Sequence, residues 1–155
     1  MLIAKCTVKP SSIAGVGLFA DQDIEKGQIV WHYTPETCVI FTRAVFDTLV
    51  ASHHKTESFL IKYILTYSYY VETFNGLVLC LDNARFVNHC SKPNMWGGTS
   101  GGQYSIALRD IKQGEELTEN YASYDSNPWL DEQCQRFNID HTSYEDAIEC
   151  KAKTH

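Results

Sequence analysis

Apolar positions along this chain come in short bursts, and most of the early bursts alternate. Residues 2–8, LIAKCTV, alternate and are β-branched enough for a first strand. A glycine-punctuated turn in SSIAGVGLF leads to a second strand around 17–20. A turn at Glu25-Lys26-Gly27 opens a strand over 28–33, and TCVIF at 37–41 makes another. The period then changes from two to 3.6. Thr42 has the chemistry of an N-cap, and Val45, Phe46, Leu49 and Val50 share one face of a helix over 43–51. After the polar break HHKTE, a second short helix over 57–66 places Phe59, Leu60, Tyr63 and Ile64 on one side.

SYYVETFNGLVLCL reads as a hairpin that turns at Asn75-Gly76 and ends in the wholly apolar strand 77–81. GGTSGG at 97–102 is a flexible glycine loop. YSIALRDI and ELTENY are strands flanking the turn KQGE. After Asn127-Pro128, WLDEQCQRFNID predicts a helix, and SYEDAIECKAK predicts a last one. Many short strands with a few helices fit both an all-β barrel and a small α+β fold. Periodicity does not choose between them and says nothing about chemistry.

Composition narrows the class. A length of 155 residues suits one domain with a sizeable core, and 44% hydrophobic residues exclude disorder over the whole length. Net charge is −6, with 19 acids against 13 Lys plus Arg. This argues against a broad basic face and direct nucleic-acid binding. It suits a cationic partner such as a lysine-bearing peptide, although composition alone favours plain solubility. Cysteines at 6, 38, 80, 90, 134 and 150 form neither CxxC nor CxC, so no zinc-ribbon spacing is present. Cys38 and Cys80 lie in apolar runs and read as buried thiols. The apolar patch of MLIAKCTVKP is too short for a signal peptide, and no apolar run approaches a membrane span. The expectation is an intracellular, reduced protein, cytoplasmic or nuclear, without a membrane association.

Several short segments concentrate polar chemistry. RFVNHCSKPN at 85–94 follows the apolar strand and packs hydrogen-bonding side chains at its end. Asn88 and His89 both donate and accept hydrogen bonds. Taken alone, the pair reads as an Asx-type turn with a satisfied histidine. AGVGLF at 14–19 lets backbone approach a ligand, but it lacks the third glycine and helix of a dinucleotide fingerprint, and alone it reads as a turn. Tyr121, in ELTENYASYD, alone reads as a half-buried aromatic with a bonded hydroxyl. His53 and His54 are adjacent and point apart, so they read as solvated loop residues. A Cys90/His89 thiol dyad is disfavoured for the same reason.

The combination says more than its parts. GVGLFA with IEKGQIV, then RFVNHCSKPN, then ALRDIKQGEELTENY, in this order and spacing, resembles the SET-domain family of protein lysine methyltransferases from about Val8 to Trp129. The central motif of that family reads R-F-(I/V)-N-H-S-C-x-P-N; here Cys90-Ser91 are swapped. Its late motif reads E-L-T-x-D-Y; here Asn120 replaces the aspartate.

The resemblance implies a mainly β fold with short helices, of several small sheets, whose NH segment threads beneath a loop as a pseudoknot. It implies a SET domain over 1–125 with a helical insert at about 42–66, and a short helical segment over 126–155 that closes the cofactor site. It implies S-adenosylmethionine as cofactor. By position, Ala14, Val16 and Gly17 would offer it backbone groups, and Asn88 and His89 would hold its amino-acid and adenine ends. Tyr121 would be the catalytic tyrosine at the inner end of a lysine channel. Trp129 would stack on adenine or anchor the tail helix in the core, the two readings weighing equally. Tyr67 or Tyr69, and further out Tyr104, would line the channel.

Methyl transfer moves charge without creating it, so alignment dominates. The lysine must arrive neutral, and a dry aromatic channel beside a sulfonium disfavours its ammonium. No dedicated base is then required and none stands out in the sequence, so activity should rise with pH above neutral. With only Cys134 and Cys150 after the motif cysteine, no structural zinc is expected. The partner is a lysine-containing protein or peptide, histone or non-histone. A non-catalytic SET-like peptide-binding module is the rival reading, and a hydrolase using Cys90 is a third. The sequence sets neither the target lysine, the number of methyls nor the oligomeric state.

Overall fold

A computed structural model describes residues 1–52, 58–97, 103–124 and 127–139. His53-His54, most of the expected glycine loop and the expected last helix over 143–153 lie outside the described residues. The described chain is mainly β with short helices, as expected. Its strands are β1 (Cys6–Pro10), β2 (Val16–Ala20), β3 (Ile29–His32), β4 (Cys38–Thr42), β5 (Ser68–Val71), β6 (Gly76–Cys80), β7 (Asn88–His89), β8 (Met95–Trp96), β9 (Tyr104–Ala107) and β10 (Glu116–Glu119). Helices α1 (Arg43–Ser52) and α2 (Phe59–Tyr67) interrupt the strands, and α3 (Pro128–Arg136) follows them.

The strands form small sheets ordered β1-β2-β10-β7, β3-β9-β8 and β4-β6-β5. Each is short because turns recur every few residues, and Gly27 and Gly114 sit at positive φ in two of them. The first strand begins later than its alternation predicts. Leu2 instead bridges to Trp31, and the Leu2 amide donates to Asp82. The N-terminal residues thus tie the β3 sheet to the turn after β6 rather than lengthening β1. The hairpin before it turns as expected. Asn75 takes the left-handed conformation (φ 46°), and Gly76 lies so close to Phe41 that a Cβ would meet its carbonyl oxygen at 2.5 Å.

Helix α1 is capped as its sequence predicts, the Val45 amide donating to the Thr42 hydroxyl. Ser58 caps α2 by accepting from Ile61. Asn127 caps α3, with Pro128 at its first turn, where a missing N–H costs nothing. The apolar faces of the three helices close over Tyr70 and Leu77 in one core cluster. A second cluster, built on Leu18, Ile24, Val30, Met95, Ile111 and Leu117, lies between the β2 and β3 sheets. Cys38 and Cys80 are buried free thiols and face each other across β4 and β6. No helix among the described residues is long and apolar enough to cross a membrane.

The two-residue strands β7 and β8 were not separable from turns in the sequence, because a period of two cannot be read from two residues. Their partner creates them. β7 lies parallel to β10, with Asn88 opposite Thr118 and His89 opposite Glu119. Buried Asn94 then clamps β10 through its side-chain amide. It accepts from the Thr118 amide at 2.8 Å and donates to the Glu116 carbonyl at 2.8 Å. This clamp threads the NH segment against the last strand.

Candidate active site

Strand β10 delivers a tyrosine to the end of a cavity. The strand alternates, so Leu117 and Glu119 point inward, and the chain leaves it in a 3-10 turn over Tyr121–Ser123. Asn120 caps that turn, its side-chain oxygen accepting from the Ala122 amide at 3.0 Å. A neutral amide therefore does the capping that a carboxylate would do in its place. The Tyr121 amide donates to His89 Nδ1 at 3.0 Å, and the Tyr121 hydroxyl donates to the Val87 carbonyl. His89 is buried and thus fixes the backbone of Tyr121 through its ring nitrogen.

The cavity has a volume of about 480 Å³. Tyr67, Tyr69 and Tyr121 all line it, together with Glu119 and Tyr124. Tyr69 and Tyr124 stack with centroids 5.3 Å apart, and Tyr124 lies 6.0 Å from Tyr121. Burial, followed by the neighbouring Cys80 and Cys38 thiols, pushes the Tyr69 hydroxyl well above its ordinary pKa. Burial, then Glu119, does the same to Tyr124. Both remain neutral hydroxyls at any physiological pH.

A second group gathers around Asn88, and none of its residues lines the cavity. The Asn88 side chain donates to the Val16 carbonyl at 3.0 Å, to the Ala14 carbonyl at 3.3 Å and to Glu116 at 2.8 Å. Glu116 also accepts from the Ser11 hydroxyl at 2.8 Å. Gly17 makes room for this arrangement, since a Cβ there would lie 2.0 Å from Glu116 Oε1. The structure thus brings Ala14, Val16, Gly17 and Asn88 together and links them through β7 to His89 and Tyr121.

Of the expected site residues, Tyr67, Tyr69 and Tyr121 line the cavity, and Ala14, Val16, Gly17, Asn88, His89, Tyr104 and Trp129 do not. Tyr104 is exposed at the start of β9 and is not among the cavity-lining residues. Trp129 is buried against Phe46, edge-on at 5.4 Å, with the Arg43 guanidinium 5.1 Å from its ring and its indole N–H donating to Asp47. These are the contacts of a core anchor. Cys90 is fully buried and held in a disulfide, so it offers no thiol to a hydrolase, and Ser91 is exposed.

Two carboxylates escaped the sequence reading. Glu116 joins Asn88 to the loop before β2, and no sequence signal marks that partnership. Glu119 is buried, and burial raises its pKa against the Ser105 and Tyr124 hydroxyls, which hold it down. Its signal was present: alternation from core residue Leu117 predicts that position 119 also faces inward. Among the described residues, no group of three or more His, Cys, Asp or Glu is placed to hold a metal ion.

A family model described as "SET domain" matches residues 15–122. Among curated proteins, the chain is 27% identical over 159 residues to a "Putative histone-lysine N-methyltransferase ASHH4" of Arabidopsis thaliana, covering 97% of this chain and 40% of that protein. It is 32% identical over 120 residues to the "Histone-lysine N-methyltransferase trithorax" of Drosophila melanogaster, covering 72% of this chain and 3% of that protein. A Plasmodium falciparum "Variant-silencing SET domain-containing protein" is 29% identical over 74% of this chain and 5% of its own length. The chain therefore spans less than half the length of each of these relatives. Among solved structures, the Neurospora histone lysine methyltransferase DIM-5 matches at a TM-score of 0.56 and 21% identity, over 81% of this chain and 55% of that one. A ctPRC2 structure bound to S-adenosylmethionine matches at 0.57 and 24%, over 87% of this chain and 17% of that one.

Proposed function

The chain belongs to the SET-domain family, and from that premise we propose that it is an S-adenosylmethionine-dependent protein-lysine N-methyltransferase. The observation that carries this reading is the convergence on one cavity of Tyr121 with Tyr67 and Tyr69, while the Tyr121 backbone is held by His89 of the NH segment. Relatives named as histone-lysine methyltransferases support it. The substrate is a lysine side chain of a protein, histone or non-histone.

The residues present fit the cofactor. A cavity of about 480 Å³ lies in the range of small-ligand sites. One residue along the chain from cavity-lining Val87, the Asn88 side chain bonds the Ala14 and Val16 carbonyls, a polar cluster that would hold the amino-acid end by exchanging these bonds. When bound, S-adenosylmethionine supplies a methyl group on a sulfonium. The chain's own residues do the rest. Tyr67 and Tyr69 form apolar walls that exclude water and align an extended lysine side chain. Burial in those walls disfavours the ammonium form and lowers its pKa from about 10.4. The oxygens of Tyr121 and of the Val87 carbonyl, already bonded to each other, offer lone pairs to weakly polarised C–H groups. The helical segment α3 closes this region through the Trp129 anchor.

The test is calorimetry of S-adenosylmethionine binding, followed by transfer of labelled methyl from it to recombinant core histones and to a lysine peptide array. We expect micromolar binding by the wild type, loss of binding in Asn88→Ala, and retained binding without transfer in Tyr121→Phe. A wild type that does not bind the cofactor would replace this reading with the non-catalytic peptide-binding module.

A further inference from the structure

Glu119 is a buried carboxyl on the wall of the tyrosine-lined cavity. It is 6% exposed, two residues before Tyr121. Tyr124 donates its hydroxyl to Oε2 and the Ser105 hydroxyl also favours the carboxylate, whereas buried Oε1 accepts no bond of full hydrogen-bonding geometry. No Lys or Arg among the described residues pairs with it, although surface carboxylates of this chain do form such pairs with Arg109 and Lys112. The backbone packs closely against it on one side. A Cβ on Gly97 would come within 3.3 Å of Oε1 and 3.4 Å of Oε2, so glycine there brings the backbone against the carboxyl. Burying a carboxyl without a cation is costly, and hydroxyl donors such as Tyr124 and Ser105 would be served as well by the side-chain oxygen of glutamine. A buried acid facing a cavity, and lacking a cation of its own, suits a cation that arrives from outside.

We propose that Glu119 takes the proton from the ammonium of the substrate lysine, so that this chain carries its own base. The inference rests on the methyltransferase reading above and goes beyond it. One N–H bond of the ammonium breaks, its electron pair stays on nitrogen, and an O–H bond forms on the Glu119 carboxylate. The products are a neutral amine and a neutral carboxylic acid. A dry cavity favours this neutral pair over the ion pair, because each charge alone would be desolvated. The proton leaves to solvent when the product departs. The titratable groups nearby do not compete. Tyr69 on β5 and Tyr124 beside it stay neutral for the reasons given, and Ser105 on β9 only donates. Tyr121 is bonded to Val87, and His89 on β7 accepts from the Tyr121 amide. Arg85 and Asp131 lie elsewhere on the cavity wall.

This changes the expected pH profile. Without a base, the rate climbs with pH above neutral. With Glu119 as acceptor, the wild type flattens once the carboxyl has ionised and stays flat up to the lysine's own titration.

The test compares Glu119→Gln and Glu119→Asp with the wild type on recombinant core histones between pH 6 and 10. We expect Glu119→Gln to bind S-adenosylmethionine within about twofold of wild type. It should transfer methyl about a hundredfold more slowly at pH 7, the scale of a lost general base. Its rate should then climb about tenfold per pH unit, while Glu119→Asp recovers part of the wild-type rate and its flat profile. A glutamine variant with the wild-type rate and profile overturns the proposal. A second measurement needs neither cofactor nor turnover. In the chain labelled with carboxyl-carbon-13 glutamate, the signal missing from Glu119→Gln should move when n-butylamine, a lysine side-chain probe, is added. An unmoved signal overturns the proposal. If the wild type binds no S-adenosylmethionine, the methyltransferase reading falls, and the butylamine titration alone decides whether Glu119 receives an ammonium.

Discussion

Removing the Asn94 side chain should unzip β10 from the strand that delivers His89. Asn94 and Thr118 are 4% and 5% exposed, so water does not replace the lost partner easily. Asn94→Ala strands the Thr118 amide, which donates to Oδ1 at 2.8 Å, and the Glu116 carbonyl, which accepts from Nδ2 at 2.8 Å. A buried polar group left unpaired costs about 1–3 kcal/mol. Glu116 is only part-buried, so its carbonyl sits at the low end, and the two together cost about 2–4 kcal/mol. A domain of this size has about 5–15 kcal/mol in total, so the variant still folds. With a urea slope of about 2 kcal/mol/M, the unfolding midpoint should fall by about 1–2 M with the slope unchanged. The same loss should loosen the Tyr121 backbone and weaken S-adenosylmethionine binding. Asn94→Asp should not rescue it, because a carboxylate accepts from Thr118 but cannot donate to Glu116. A midpoint shift under about 0.3 M would refute the reasoning, since the β2 and β7 ladders would then hold β10 without the clamp.

Other expectations follow from single contacts. In Gly17→Ala the new Cβ would meet Glu116 Oε1 at 2.0 Å and Asn88 Nδ2 at 3.1 Å. Displacing that carboxylate costs about one charge-assisted hydrogen bond within the fold, so the melting temperature should fall by about 3–10 °C, and calorimetry should show cofactor affinity about tenfold weaker. Trp129→Ala should lose about 3–5 kcal/mol in urea unfolding, whereas Trp129→Phe keeps the edge contact with Phe46 and binds cofactor like wild type. A large loss of affinity in the phenylalanine variant would instead support adenine stacking. Glu119 gives a pH-linked stability. Its folded pKa is raised, so the folded state is penalised once the carboxyl ionises, and stability is lost as pH rises through that pKa. Glu119→Gln should therefore melt higher than wild type at pH 8, and the advantage should vanish below the unfolded carboxyl pKa, near pH 4. Equal melting temperatures at both pH values would count against burial of the charge.

Most elements of this fold are written locally. Strand signals placed β2, β3, β4 and β10 within a residue or two and the start of β9, whose expected end ran four residues long; the change to a 3.6 period marked α1 and α2, and Thr42 and Asn75-Gly76 marked a cap and a turn. Each of these signals needs only neighbours in the chain, so one sequence suffices to read it. The motif residues Asn88, His89 and Tyr121 were legible as a group because their order and spacing resemble a family, although their chemistry taken singly pointed to ordinary turns and core aromatics. What the sequence could not hold was contact between distant segments. The strands β7 and β8 exist through their partners, and the Asn94 clamp spans 24 residues. Glu116 reaches Asn88 across 28 residues, and Trp129 meets Asp47 across 82. Position 119 shares a strand face with core residue Leu117, but only the packing of β5, β9 and the Tyr121 turn around it decided that this face met a cavity. Local pattern determines which face of an element is buried. The tertiary structure decides what lies opposite that face, and at this site it set beside the tyrosines a carboxyl that no Lys or Arg among the described residues pairs.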